Sequence, residues 1–120
     1  MPQHLPRPTR VPVPGGKVID EHVGCASTGT EAVSVVHMTA PAGWSEPAQT
    51  PDFDEVTLVL RGAVHVQHEA GVTVVEAGQS IVTRAGERVR YATGAAETEY
   101  VAVCVPAFAP DLAHRDERPA

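Results

Sequence analysis

Valine-rich runs of four to nine residues, each closed by glycine or proline, recur from residue 17 to residue 105. Residues 17–23 read as a weak strand ended by Gly24, and residues 32–39 (AVSVVHMT) as a stronger one ended by Pro41 and Gly43. Between them, Ser27, Thr28, Gly29 and Thr30 are turn chemistry. Residues 55–60 and 63–68 make two strands about Gly62, and further strands follow at 72–75, 80–83, 88–92 and 97–105. With Gly62, Gly71, Gly78, Gly86 and Gly94 as separators, eight or nine short strands at nearly regular spacing predict an all-β barrel or sandwich. No helix longer than one turn is expected, save one after Pro110.

The two ends break this pattern. Residues 1–16 (MPQHLPRPTRVPVPGG) carry Pro2, Pro6, Pro8, Pro12 and Pro14, which remove backbone donors and fix extended geometry. The segment reads either as a disordered tail or as an arm laid across a neighbouring subunit, with Val11 and Val13 as alternating anchors. After residue 106 the composition turns to proline and charge; Phe108 and Leu112 are placed to pack as a flap over the barrel edge, and mobility is expected after Arg115. The chain thus divides into an arm (1–16), a barrel (17–106) and a tail (107–120).

Composition agrees with one small domain: 120 residues, nineteen valines against two phenylalanines, ten glycines and eleven prolines favour strands and tight turns over helices. A net charge of -6 gives no basic footprint for nucleic acid or an anionic membrane, so a small-molecule ligand is the expected partner. No run approaches the roughly 18 apolar residues of a membrane span, and no secretory h-region is present. Cys25 and Cys104, far apart in sequence, form neither a disulfide framework nor a zinc set; free thiols in a reducing cytoplasm are expected.

The stretch Gly43 to Gly62, GWSEPAQTPDFDEVTLVLRG, has the frame G-x5-H-x-H-x3-E-x6-G with its acid on Glu55 but Gln49 and Pro51 in the histidine slots. A second stretch, GQSIVTRAGERVRYAT, fits G-x5-P-x-G-x2-H-x3-N through Gly78 and Gly86, with Arg84, Val89 and Thr93 in the other slots. On these residues the chain resembles the cupins, and among them the ethanolamine-utilisation type, through Phe53-Asp54-Glu55, Val59-Leu60-Arg61-Gly62, Val64-His65-Val66, Tyr100-Val101-Ala102 and Val105-Pro106-Ala107. The resemblance implies an all-β double-stranded β-helix (jelly-roll) barrel, a pocket at its open mouth and a homodimer. An acetate-kinase activity ascribed to that type does not carry over, because no phosphate-cradling glycine loop is found.

Strand alternation puts Glu55, Thr57 and Val59 on one face, and the motif frame turns that face into the barrel. There Glu55 would meet Gln49, Val89 and Tyr91, with Arg88 and Arg90 opposite, while His65 and His68 take opposite faces and cannot share a metal. A carboxyl desolvated in an apolar barrel is raised toward neutrality and suits proton transfer. Glu55 is therefore the candidate acid or base with Tyr91 at its side; Gln49, His37, Trp44, Glu46, Thr57 and Val89 are candidate ligand contacts. Trp44 fits a pocket rim or a buried anchor equally, and His37 a ligand contact or a hydrogen-bonded core histidine. Asp52 and Asp54 read as turn caps or solvent-facing acids. A divalent metal would have to draw on Glu55, Gln49, Glu46 and His37, a set poor in imidazole, and is not favoured. The leading expectation is a small cupin acting on a small organic molecule by proton transfer, as an isomerase, cyclase, lyase or dehydratase. The alternatives are a ligand-binding or regulatory module without turnover, and a metal-dependent oxygenase with an unusual ligand set. Pairing of the proline-rich arm and exposed sheet edges argues for a two-fold dimer.

Overall fold

A computed structural model describes residues 1–116. Nine strands and one short helix are formed among them: β1 (Thr9–Val11), β2 (Val18–Val23), β3 (Ser34–Ala40), β4 (Asp54–Arg61), β5 (Ala63–His68), β6 (Gly71–Glu76), β7 (Ser80–Thr83), β8 (Arg90–Thr93), β9 (Thr98–Val105) and α1 (Pro110–Ala113). The single helical turn after Pro110 and the eight strands from residue 18 onward lie where the sequence puts them. The addition is β1, whose reason is local: Thr9, Arg10 and Val11 are a run free of proline between Pro8 and Pro12, so its donors can enter a ladder.

Antiparallel pairing builds a six-stranded sheet, in the order β1-β2-β3-β9-β4-β7, and a three-stranded sheet, β6-β5-β8. The sheets close on a shared core of Ala40, Val59, Val64, Val66, Val75, Val89, Tyr91 and Tyr100. Valine suits these pleated, half-buried surfaces, which is why so few aromatics suffice. On β4 the alternation is strict: Glu55, Thr57 and Val59 are buried while Val56, Leu58 and Leu60 face outward.

Gly62 carries the chain from one sheet to the other at φ 77°. A Cβ there would stand 2.5 Å from Thr98 Oγ1 and 2.6 Å from the Glu97 carbonyl oxygen. That closeness is structural, since the Thr98 hydroxyl donates to the Ala63 carbonyl at 3.0 Å and accepts the Ala63 N–H at 3.2 Å.

The arm folds onto its own chain. β1 pairs antiparallel with β2, with Arg10 opposite Asp20, and those two side chains form an exposed ion pair. At the other end, Phe53 and Phe108 meet edge to face at 5.8 Å, and Phe108, Leu112 and Ala113 pack with Phe53 and Cys104 as a second small cluster. Residues 112–116 then run back along the first motif: Asp52 N–H donates to the Leu112 carbonyl, Thr50 N–H to that of His114, and Asp116 N–H to that of Ala48. His114 Nε2 lies 2.6 Å from Asp52 Oδ2, and Arg88 pairs with Asp116. The flap expected at Phe108 and Leu112 is thus a strap. Asp116 is tied down, and the rest of the mobility expected there concerns residues 117–120, outside the described residues. Among the described residues no helix is long and apolar enough to cross a membrane.

Candidate functional site

The two glycine-framed stretches lie side by side. Gln49 and Val89, each in a slot where the motif frame has histidine, exchange both backbone hydrogen bonds, at 2.8 and 2.9 Å. Gly43 N–H donates to the Gly94 carbonyl and Gly86 N–H to that of Pro51, so the glycines of the two frames hold each other's loops. Thr93, in the asparagine slot, ties the entering loop: its hydroxyl accepts the Trp44 N–H at 2.9 Å and donates to the Pro41 carbonyl at 2.6 Å. The spacing that carries the resemblance is therefore a set of backbone contacts.

Inside this frame is a cavity of about 490 Å³. Its polar wall holds Lys17, Glu21, Glu46, Gln49, Glu55, Tyr91 and Arg115; its apolar wall includes Val11, Ile19, Val36, Met38 and Tyr100. Glu55 is 7% exposed, pairs in register with Thr83 and Cys104 on the flanking strands, and shares the inner face of β4 with Thr57. Burial, reinforced by Glu46, pushes the Glu55 carboxyl up to about 7, against the opposing pull of Lys17 and Arg115. The Thr57 hydroxyl lies near enough to favour the ionised acid but falls short of hydrogen-bond geometry, and Thr57 Oγ1 has no partner.

The neighbours of Glu55 are held neutral. Tyr91 shares a 2.9 Å hydrogen bond with Thr83 Oγ1, and burial, then the Glu55 charge, raises its phenol far above the ordinary range. Cys104 is raised in the same way by burial and by Glu55. Only Glu55 among these three changes protonation near neutral pH.

Two cations complete the wall. Lys17 Nζ sits 4.0 Å from the centre of the Trp44 ring and 5.4 Å from that of Tyr100, and burial lowers its pKa although Glu46 and Glu55 oppose this. Arg115 arrives on the C-terminal strap, paired with Gln49 as an isolated bridge. Both cations approach the same atom, Glu46 Oε2, at 3.9 Å for Lys17 and 3.6 Å for Arg115. Gln49 is 3% exposed and its Oε1 has no hydrogen-bond partner.

Of the residues read from the sequence, Glu55, Tyr91, Gln49 and Glu46 meet at this cavity, and four others do not. His37 is on the outer face of β3, because the inner positions there are Ser34, Val36 and Met38; its ring lies 3.6 Å from Glu99 Oε1. Trp44 packs on the core and carries Lys17 instead of lining the cavity. Thr57 lies fully buried beneath the site, and Val89 is a core residue packed with Tyr91. Asp52 and Asp54 serve the loops, the latter accepting the Ala85 N–H at 2.9 Å. Missed were Lys17, Glu21, Arg115, Tyr100 and Cys104. The one signal for Lys17 is that it is the sole lysine of the chain; nothing marks Arg115 before the strap is seen.

A metal of the kind the cupin motifs hold does not fit these residues. The histidine slots carry an amide, a proline and an aliphatic side chain, His37 points away, and two cationic side chains share the cavity with its acids. Among the described residues no group of three His, Cys, Asp or Glu side chains is placed to hold a metal ion.

Comparison with known proteins supports the class first. An oxalate decarboxylase variant from Bacillus subtilis superposes over 90% of this chain and 30% of its own at a TM-score of 0.76 and 16% identity. An RmlC-like cupin from Shewanella frigidimarina covers 83% and 85% of the two chains at a TM-score of 0.71 and 15% identity. A Salmonella typhimurium protein described as ethanolamine utilization protein Q covers 77% and 71% at a TM-score of 0.61 and 21% identity. The molecule has the cupin double-stranded β-helix fold, with the motif histidines replaced. In sequence, 107 residues are 45% identical to a Myxococcus xanthus protein named endoribonuclease YbeY, a match over 88% of this chain and 36% of that protein. The chain thus spans about a third of the length of that curated relative. No protein-family model matches.

Proposed function

We propose that this small cupin binds a small organic molecule in the barrel cavity and acts on it by proton transfer, in a reaction of the isomerase, cyclase, lyase or dehydratase kind. The observation that carries this reading is Glu55, a buried carboxyl held at about 7 on the wall of the barrel cavity and able to give or take a proton near neutrality. Tyr91, kept protonated, orients the substrate beside it, and Gln49 and Glu46 are its other polar contacts. The test is incubation of a small-metabolite pool with the protein and with Glu55→Gln. Wild type should deplete one compound in favour of an isomer or a product lacking one water, and Glu55→Gln should be slower by about 100-fold or more. A variant rate within about threefold of wild type would remove Glu55 from this role.

A reading without turnover has one observation behind it: Tyr91 and Cys104 are both held neutral, so neither can share proton transfer with Glu55. It predicts a compound retained from the same pool and recovered unchanged. The ribonuclease named for the Myxococcus relative we assign to the part of that protein outside the match, since the present chain carries a net charge of -6 and little means of neutralising phosphates. We further propose a cytoplasmic setting, with Cys25 and Cys104 as free thiols, and a homodimer formed through the outer face of the six-stranded sheet.

A further inference from the structure

We propose that the cavity takes a monocarboxylic acid with an apolar body and a hydroxyl near its carboxylate, bound through Lys17 and Arg115 at the carboxylate and Gln49 at the hydroxyl. This rests on the reading of the cavity as the ligand site. Lys17 Nζ and the Arg115 guanidinium stand 3.9 and 3.6 Å from Glu46 Oε2, beyond the length of an N–H···O hydrogen bond. Glu46 therefore balances their charge without using their donors. An ammonium has three donors and a guanidinium five in a planar fork, and a carboxylate set between the two would receive charge-assisted hydrogen bonds from both. Trp44 and Tyr100 hold the buried lysine from beneath, so little ordering of it remains to be done on binding, and the strap fixes the backbone that carries the arginine.

Gln49 adds an independent requirement. Its buried, unpaired Oε1 is an acceptor that costs free energy until a donor reaches it. A ligand hydroxyl is such a donor, and a carboxylate is not. The number of charges excludes a phosphate ester. Two cations face three acids on this wall, and a group carrying about -1.5 to -2 would meet Glu21, Glu46 and Glu55 as well as the cations. Val11, Ile19, Val36 and Met38 ask for an apolar remainder.

Titration calorimetry on the full chain with four probes decides the matter: mandelate, its methyl ester, phenylacetate and phenyl phosphate. Mandelate should bind most tightly, the ester and phenyl phosphate at least tenfold more weakly, and phenylacetate, which lacks the hydroxyl, severalfold more weakly. Arg115→Met and Lys17→Met should each weaken mandelate about tenfold or more, whereas Arg61→Ala, at a surface pair with Glu97, should not. Circular dichroism of each variant confirms that it is folded. Equal binding of the ester, tighter binding of phenyl phosphate, no binding of any probe, or indifference to Arg115→Met would each overturn the proposal. Ile19→Trp, which fills the cavity, separates the two levels. If the ester binds wild type as well as mandelate does and Ile19→Trp abolishes both, the cavity is the site and the ligand class is wrong. If binding survives Ile19→Trp, the cavity reading falls as well.

Discussion

Glu55 ties stability to pH as well as chemistry to the cavity. Its carboxyl titrates at about 7 in the folded chain and near 4.5 when unfolded, so below pH 4.5 both states are protonated and it contributes no pH dependence. Between pH 4.5 and 7 the unfolded chain has already released a proton that the folded one retains, and stability falls as pH rises; above 7 the loss levels off at about 3 kcal/mol. Glu55→Gln lacks this term. The stability of the variant minus that of wild type, from urea unfolding, should climb from pH 4.5 to 7 and then stay flat; a difference independent of pH would show Glu55 to be more solvated than its burial implies. Gly62 and Gly78 make a second pair of comparisons. Both have positive φ, but a Cβ at Gly62 meets Thr98 and Glu97 while one at Gly78 meets nothing within 4 Å. Gly78→Ala should cost about 1–2 kcal/mol for the backbone alone, and Gly62→Ala clearly more, by the same unfolding measurement. The motif frame made Glu55, Gln49 and Tyr91 legible because backbone spacing fixed their positions. It could not place His37, since SVVHM is apolar on both faces, nor Lys17, since Lys17, Ile19 and Glu21 share one face with no polarity contrast to Val18, Asp20 and His22.

The strands were read from the chain almost to their ends because each valine run is bounded by a residue that cannot continue it. Of the strap formed by residues 107–116, the packing of Phe108 and Leu112 and the turn after Pro110 were legible, but its path back along the first motif was not. What fixes it is long-range: backbone hydrogen bonds to Ala48, Thr50 and Asp52, and the edge of Phe108 on Phe53. Phe53 is fully buried, whereas Phe108 is partly so. Phe53→Ala should therefore cost about 3–5 kcal/mol, the figure for a buried phenylalanine, and Phe108→Ala less. The two should also differ in kind. By hydrogen exchange, Phe108→Ala should loosen the amides of Asp52 and Asp116 while the β4–β9 ladder stays protected, as expected of a unit that opens apart from the core. Uniform loss of protection would instead make the strap part of the cooperative core. Because Arg115 rides on this strap, its opening removes one of the two cations from the cavity without disturbing Glu55.

Seen from outside, the six-stranded sheet has an apolar patch that its own chain does not cover. Val56, Leu58 and Leu60 on β4 are 39%, 41% and 45% exposed, and Val82 on β7 and Val105 on β9 are 48% and 52% exposed. The register makes them neighbours: Val56 stands opposite Val82 on one side and Val103 on the other, and Leu58 opposite Val101. Toward β3 the patch ends at the polar pair His37 and Glu99. A continuous apolar area with a polar border is what an interface needs, and a second copy of the same face is the simplest cover, giving a two-fold pair. Light scattering at about 10 µM should give twice the chain mass. Leu58→Arg, which puts a charge at the centre of the patch on both copies at once, should give the single-chain mass. A wild-type monomer would leave the patch to some other partner. The alternation of β4 makes the test a clean one, because Leu58 faces outward while Glu55, Thr57 and Val59 face the barrel. The Leu58→Arg monomer should keep the pH dependence of stability assigned to Glu55. If that dependence vanished with the dimer, the burial that raises Glu55 would have to come partly from the partner copy.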